Sequence, residues 1–179
     1  MHEARHSGQR AVAAAGLGVA IRLALLGCGV LAIGALVYVL DRPADSVHLL
    51  PNAFSLGSAH DARFGALGNH LPAFAHAYGF ILLTAAVSPA FFSVLAICVF
   101  WWAIDSLFEI GQHPAVAAHV AGALPAWLKR IPVFDNTGSY FLRGTFDPVD
   151  LMAIALGALA AYFTIRAVCL GRASHGKDV

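Results

Sequence analysis

Four apolar runs, each about as long as a membrane-spanning helix, restrict the fold of this chain more than any other feature. They cover residues 11–40, 71–87, 89–111 and 148–165. A helix needs about 20 apolar residues to cross a hydrocarbon core roughly 30 Å thick. Of the 179 residues, 59% are hydrophobic and only 12% are charged, whereas about 25% are charged in a typical soluble domain. The sequence therefore predicts an all-α, integral membrane four-helix bundle that forms a single transmembrane domain.

The connections between the runs predict the topology. A Ser-Pro step at Pro89 separates the second run from the third, so these two helices are predicted to form an antiparallel hairpin. The other connections, 41–70 and 112–147, are long and are expected to cap one end of the bundle. Within the second connection, residues 113–130 combine apolar and basic residues in the way that is typical of an interfacial amphipathic helix, with Trp127 as its anchor.

The basic residues favour one orientation. An even number of spans places both termini on the same side of the membrane. Arg5 and Arg10 precede the first span, and Arg166, Arg172 and Lys177 end or follow the fourth. Because the positive-inside rule gives most weight to short flanks, both termini are predicted to be cytoplasmic and the two long connections to lie outside.

The charge balance narrows the class of partner. The formal net charge is +1, which provides none of the basic surface that a nucleic-acid-binding protein needs. Membrane lipids are therefore the expected partners, with another membrane protein as a further candidate, and no nucleic acid is expected.

Apart from Arg22 and Asp150, which lie near the starts of the first and fourth spans, the ionisable side chains of interest inside the predicted spans are His76, Asp105 and Glu109. Such residues are costly at membrane depth and by default indicate a functional site. Asp105, Glu109 and Gln112 are spaced by four and three residues, so they share one helical face. At about 1.5 Å per residue, His76 and Asp105 lie about 8 Å and about 9 Å below the outer ends of their spans. The two side chains can therefore pair if their helix faces coincide.

Further polar residues begin the fourth span at the same outer level. Asp147 is expected to cap this helix, since Pro148 suits a first helical position. Asp150 either interacts with the positive end of the helix dipole or faces the bundle axis. Arg143 is the nearest permanent cation and is expected to form an ion pair with Glu109 or Asp150, with a lipid phosphate as the alternative partner.

Small residues recur along the fourth span. Ala153, Gly157 and Ala161 follow one another at every fourth position, a pattern that allows the backbone of a neighbouring helix to approach closely. We therefore expect this stripe to face the bundle interior.

No motif in the sequence identifies a chemical reaction that the protein could catalyse. His70, together with His76, Asp105 and Glu109, could supply metal ligands, but their spacing matches no metal-binding motif, so no metal ion or other cofactor is predicted. The chain also lacks a P-loop, a nucleophile elbow and a haem-attachment motif. Whether the protein is an enzyme stays open at this point.

Two motifs resemble those of the VanZ-like family of small bacterial membrane proteins, over about residues 72–162. Glu109-Ile110-Gly111-Gln112 is similar to the ExxQ motif of the family, and Asp147-Pro148-Val149-Asp150 with Gly157 is similar to the DxxxNxxG motif that opens its last helix, although Ile154 stands at the Asn position. His76 resembles a family histidine on an earlier helix, and Arg143 is a candidate for the family arginine. The resemblance implies a multi-pass protein of the bacterial cytoplasmic membrane that acts in the cell envelope.

These observations leave two main hypotheses. In the first, an outward-facing polar pocket handles a lipid-linked or amphiphilic envelope molecule; its candidate residues are His76, Asp105, Glu109, Gln112, Arg143, Asp147 and Asp150. In the alternative, the protein is a non-catalytic structural subunit or assembly factor, and the same residues tie its own helices together. A transporter fits less well, because the inner halves of the second and third spans offer almost no polar residues to an ion.

Overall fold

Six α-helices make up the chain over the residues that the computed structural model describes. These residues are 2–41, 63–88, 93–131, 134 and 137–175, with side-chain surroundings given for 16–41, 63–88, 93–128, 130–131, 134 and 137–169. No strand occurs in these ranges. The helices are α1 (His2–Asp41), α2 (Leu67–Val87), α3 (Val94–Gly111), α4 (Ala117–Ala123), α5 (Thr137–Arg143) and α6 (Pro148–His175).

Four of these helices are long and apolar enough to cross a membrane. The spanning segments are Gly16–Asp41, Leu67–Val87, Val94–Gly111 and Pro148–Cys169. Helix α2 packs against α1, α3 and α6, and its contacts with α1 and α6 are the most extensive in the bundle. The predicted all-α four-helix architecture is confirmed, and the chain is a multi-pass membrane protein.

The bundle has an apolar core and an apolar outer surface. Leu23, Ile81 and Ile165 are almost completely buried in the core. On the outside, large side chains such as Leu25 and Phe163 are more than half exposed. This is the distribution expected when lipid surrounds the helices, because lipid chains solvate apolar side chains as well as the protein core does.

Glycine and alanine bring the backbones of α2, α1 and α6 close together. A Cβ atom at Gly157 on α6 would lie 2.6 Å from the Phe74 carbonyl oxygen on α2, and one at Gly79 on α2 would lie 2.9 Å from Leu31 Cδ2 on α1. Ala161 is completely buried. The close approach predicted from the small-residue stripe of the fourth span is therefore confirmed, and its partner is α2.

Helix α3 begins at Val94 because Ser93 caps it. The Ser93 hydroxyl accepts a hydrogen bond from the Ala96 backbone N–H at 3.1 Å, as an N-cap residue does. The sequence-based start of this span, Pro89, lies outside the described residues. Helices α2 and α3 nevertheless pack against each other, and the pairs His76–Asp105 and Thr84–Trp101 run in opposite directions along the two helices, as an antiparallel hairpin requires.

The connection between α1 and α2 is described only from residue 63 onward, so its predicted role as a cap over residues 42–62 lies outside the described residues. Its last turn is held by Asp41, the final residue of α1. The Asp41 carboxylate accepts hydrogen bonds from the Arg63 and Phe64 backbone N–H groups at 2.9 Å and 2.8 Å. This contact joins the end of α1 to the beginning of α2.

The connection between α3 and α6 differs from the single interfacial helix predicted for residues 113–130. Within this segment, α4 ends at Ala123, Leu124 is extended, and a 3-10 turn follows at Leu128–Arg130. The cause is Pro125, which disfavours a helical conformation in the residue before it. Helix α5, which the sequence did not predict, packs against α4 and places Phe141 over Gly111 at the end of α3.

Candidate functional site

The first polar group of the site is a histidine–carboxylate pair between two spanning helices. His76 Nδ1 on α2 lies 3.0 Å from Asp105 Oδ1 on α3, so the pairing that the hairpin made available is formed. Since α2 begins at Leu67 rather than at the predicted Leu71, His76 lies about 13 Å along its helix, about one turn deeper than predicted. Its side chain is 52% exposed, whereas that of Asp105 is 7% exposed.

Aromatic side chains border the exposed face of this pair. The His76 ring meets Phe80 edge-on with centroids 4.4 Å apart, and Phe80 stacks on Trp101 at 4.9 Å. The Trp101 indole N–H donates to the Thr84 hydroxyl at 2.8 Å, which fixes the ring. Among the described residues, Asp105 Oδ2 is buried without a hydrogen-bond partner. The pair thus has a buried, incompletely bonded carboxylate on one side and an accessible imidazole on the other.

The second polar group, which we call the helix-end cluster, lies where α3 ends and α6 begins. Its members are Glu109, Gln112, Tyr140, Asp147, Asp150 and His70. Glu109 is buried within the last turn of α3. One of its carboxylate oxygens accepts the Asp147 backbone N–H at 2.7 Å, and the other accepts the Gln112 side-chain amide at 3.3 Å. Glu109 therefore ties α3 to the beginning of α6.

Tyr140 on α5 is a member of the helix-end cluster that the sequence analysis missed. Its hydroxyl accepts a hydrogen bond from Gln112 at 2.9 Å. Burial, followed by nearby groups that include Tyr38 and Glu109, raises the pKa of the Tyr140 phenol above its ordinary value. The phenol is therefore neutral at physiological pH. Only the folding of the loop brings this residue to Gln112, 28 positions away, so no short motif marks it.

The first turn of α6 completes the cluster. Asp147 Oδ1 accepts the Val149 backbone N–H at 2.9 Å, which confirms the predicted capping role. Asp150 faces α2, where its Oδ1 lies 2.8 Å from His70 Nδ1. His70 Nδ1 also lies 3.8 Å from Asp147 Oδ2. His70 therefore meets the two aspartates of α6, and not the set of His76, Asp105 and Glu109 with which the sequence analysis grouped it.

Arg143 does not form the predicted ion pair. It is exposed at the end of α5 and forms no ion pair with Glu109, Asp150 or any other acidic side chain in the described part of the chain, where the ion pairs are those of His70 and His76. Other donors take the places predicted for it: Gln112 and the Asp147 backbone N–H bond to Glu109, and His70 pairs with Asp150. Arg143 thus stays available to solvent or to lipid head groups.

Both histidines can adopt the arrangement used to orient an imidazole. When Nδ1–H donates to a carboxylate, the tautomer is set and Nε2 carries the lone pair that accepts a proton or hydrogen bond from another molecule. His76 Nε2 belongs to a half-exposed ring beside the lipid-facing surface. The site can therefore bind a polar group from outside the bundle, with Asp105 holding the ring that receives it.

Comparison with known proteins provides no match: none was found among protein-family models, curated proteins or solved structures.

Proposed function

We propose that this protein binds the polar head group of an amphiphilic, lipid-linked molecule of the cell envelope, with the His76–Asp105 pair and the helix-end cluster forming the binding surface. The unpartnered oxygen of Asp105 is the observation that carries this proposal. A buried carboxylate oxygen without a hydrogen bond costs several kcal/mol at membrane depth in most estimates. A hydroxyl or ammonium group of a head group bound beside His76 would supply the missing donor once the Asp105 side chain rotates to bring this buried oxygen to the accessible face.

The position of the pair supports an amphiphile over a water-soluble ligand. His76 is accessible on the flank of α2 beside Phe80 and Trp101, so a molecule could reach it from the lipid. The helix-end cluster lies about one helical turn above Asp105, since Glu109 follows it by four residues on the same helix. A molecule with an apolar tail and a polar head could contact both groups without leaving the bilayer.

The cellular setting is part of the same proposal. The resemblance of Glu109, Gln112, Asp150 and Gly157 to VanZ-like motifs favours a protein of the bacterial cytoplasmic membrane that acts on the envelope. The basic flanks favour cytoplasmic termini, which would place the helix-end cluster on the outer side. Labelling of a cysteine at the exposed position Leu142 with an impermeant reagent in intact cells tests this orientation. Protection of that cysteine until the cells are lysed would reverse the orientation.

The test of head-group binding is native mass spectrometry of protein purified in mild detergent. We expect a co-purified amphiphile on the wild-type protein and its loss from Asp105→Asn. In that variant the amide keeps one acceptor oxygen for His76 but removes the charge. Asp41→Asn, which neutralises a carboxylate outside both polar groups, is the matched control and should retain the molecule. Equal retention by both variants, at equal stability in detergent, would contradict the proposal.

A second candidate function is supported by the saturation of the helix-end cluster. Both oxygens of Glu109, the Gln112 amide nitrogen and one oxygen of the Asp147 carboxylate are engaged within the protein. This favours a non-catalytic subunit or assembly factor whose polar residues join its own helices. In that case no amphiphile would co-purify with the wild-type protein, and Glu109→Gln would lower thermal stability in detergent without any effect on bound lipid.

A further inference from the structure

We infer that His70, Asp147 and Asp150 form a binding site for a divalent transition-metal ion such as Zn²⁺. The three side chains come from two helices: His70 is in the first turn of α2, and the aspartates begin α6. This site stands on its own geometry and does not depend on the proposed binding of an amphiphile.

The distances among the donor atoms suit a single ion. Zn²⁺ binds imidazole nitrogen and carboxylate oxygen at about 2.0–2.2 Å, which places neighbouring ligand atoms about 3–3.5 Å apart in a tetrahedral or octahedral site. His70 Nδ1 lies 2.8 Å from Asp150 Oδ1 and 3.8 Å from Asp147 Oδ2. One donor atom from each of the three residues lies within 4.8 Å of both others. Because the widest separation within the group can reach 4.8 Å, the side chains would have to close in by up to about 1 Å to hold one ion.

The surrounding structure holds the donors in these positions. Asp147 uses Oδ1 to cap α6 through the Val149 N–H, which leaves Oδ2 directed towards His70. The Asp147 backbone is itself held by Glu109. Such supporting hydrogen bonds around ligand residues are typical of metal sites. The close contact of α6 with α2 at Gly157 keeps His70 and Asp150 on adjoining surfaces.

The charges in this region also favour a cation. Glu109, Asp147 and Asp150 are three carboxylates near one another, and over the ranges that the structure covers no lysine or arginine forms an ion pair with them. Among the described side chains, only His70 forms an ion-pair contact with these two aspartates. A divalent ion would replace the Nδ1 proton of His70 and offset both aspartates at once.

The donor set also indicates which ions fit and what they could do. One imidazole and two carboxylates suit Zn²⁺, Mn²⁺ or Co²⁺ better than Cu⁺, which prefers sulfur ligands. Three protein ligands leave at least one coordination position for water or another oxygen ligand. The side chains are accessible to an entering ion, since His70, Asp147 and Asp150 are 28%, 41% and 20% exposed.

The experiment uses full-length protein in detergent, stripped of metal with a chelator and then titrated with Co²⁺ and Zn²⁺. Co²⁺ should give visible d–d absorption that saturates at one ion per chain, and Zn²⁺ should bleach it by displacement. His70→Ala should weaken Co²⁺ binding at least tenfold, so that the band is largely lost at the Co²⁺ concentration that saturates the wild-type protein. His119→Ala, which removes an exposed histidine on α4, is the matched control and should bind like the wild-type protein.

Several results would overturn the inference. If the folded wild-type protein shows no Co²⁺ absorption band, the inference is wrong, and no variant is needed to show it. Equal affinity in His70→Ala and His119→Ala would overturn it as well, because the ion would then be bound elsewhere. If His70→Ala does not fold, Asp150→Asn serves in its place, since it retains an oxygen near His70 but removes one anionic ligand. Unchanged Co²⁺ affinity in that variant would also exclude the site.

Discussion

Replacement of Gly157 by leucine tests the helix contact that positions the site. A Cβ atom at this position would lie 2.6 Å from the Phe74 carbonyl oxygen and 3.3 Å from both Ala77 Cβ and the Tyr78 backbone nitrogen. Two of these three atoms are backbone and the third is bound directly to it, so no flexible side chain can move aside. Overpacking of this kind costs about 3 kcal/mol at the upper end of its usual range. The higher helix propensity of leucine offsets about 1 kcal/mol of this cost. We therefore expect Gly157→Leu to lower the free energy of unfolding by about 2 kcal/mol.

The assay is unfolding of the purified protein by titration of SDS into mild detergent, followed by tryptophan fluorescence. The matched control is Gly29→Leu on α1, where an added Cβ would meet nothing within 4 Å. This control should be unchanged or more stable by up to about 1 kcal/mol. Equal stability of Gly157→Leu and Gly29→Leu would refute the close packing of α6 on α2. It would also remove the support for the contact between His70 and Asp150.

Three further predictions concern the polar contacts. Thr84→Val keeps the side-chain volume but leaves the Trp101 indole N–H without its acceptor, so the same SDS titration should show a loss of about 1 kcal/mol. The folded-state pKa of Tyr140 lies above the unfolded value of 10.0, so the unfolded chain loses this proton at a lower pH than the folded protein. The free energy of unfolding, measured between about pH 9 and pH 11, should therefore fall as the pH rises. Tyr140→Phe should make this fall smaller. Gly144→Ala would place a Cβ atom in the space of the Gln112 side chain, so thermal melting in detergent should show a loss of about 1–3 kcal/mol.

The fold could be predicted from the sequence to the extent that bilayer thickness determines it. Apolar runs of the required length specified four spans, and the small residues around Gly157 specified a face for close packing. The helix ends were less predictable. Leu67 and the three residues after it include Gly, Asn and His, yet they are helical, because tertiary contacts such as the Asp41 cap compensate for their weak apolar character. The helix predicted over residues 113–130 is interrupted because Pro125 disfavours a helical conformation in the residue before it. The composition of the segment does not show this local effect.

The candidate site could be predicted only in part. The pairing of His76 with Asp105 follows from a hairpin and from depth, both of which are readable along the chain. The meeting of His70 with Asp150 depends instead on the rotation of α2 and α6 about their axes. Tyr140 reaches Gln112 because it lies on the short helix α5 in the connection before α6. The sequence of this helix has no periodic pattern of apolar residues that would predict it. Contacts between the two helices of one hairpin are thus predictable from the sequence. Contacts between helices that are far apart in the chain, such as α2 and α6, are not.

The most direct measurement of the convergence of α2 and α3 on one polar site is a double-mutant cycle between His76 and Asp105. Unfolding free energies are measured for the wild-type protein, His76→Ala, Asp105→Ala and the double variant, with His76 and Asp150 as the control pair. Contact at 3.0 Å predicts a coupling of about 1 kcal/mol or more for the first pair and less than about 0.5 kcal/mol for the second. Equal, negligible coupling in both pairs would contradict the arrangement on which the proposed binding surface depends.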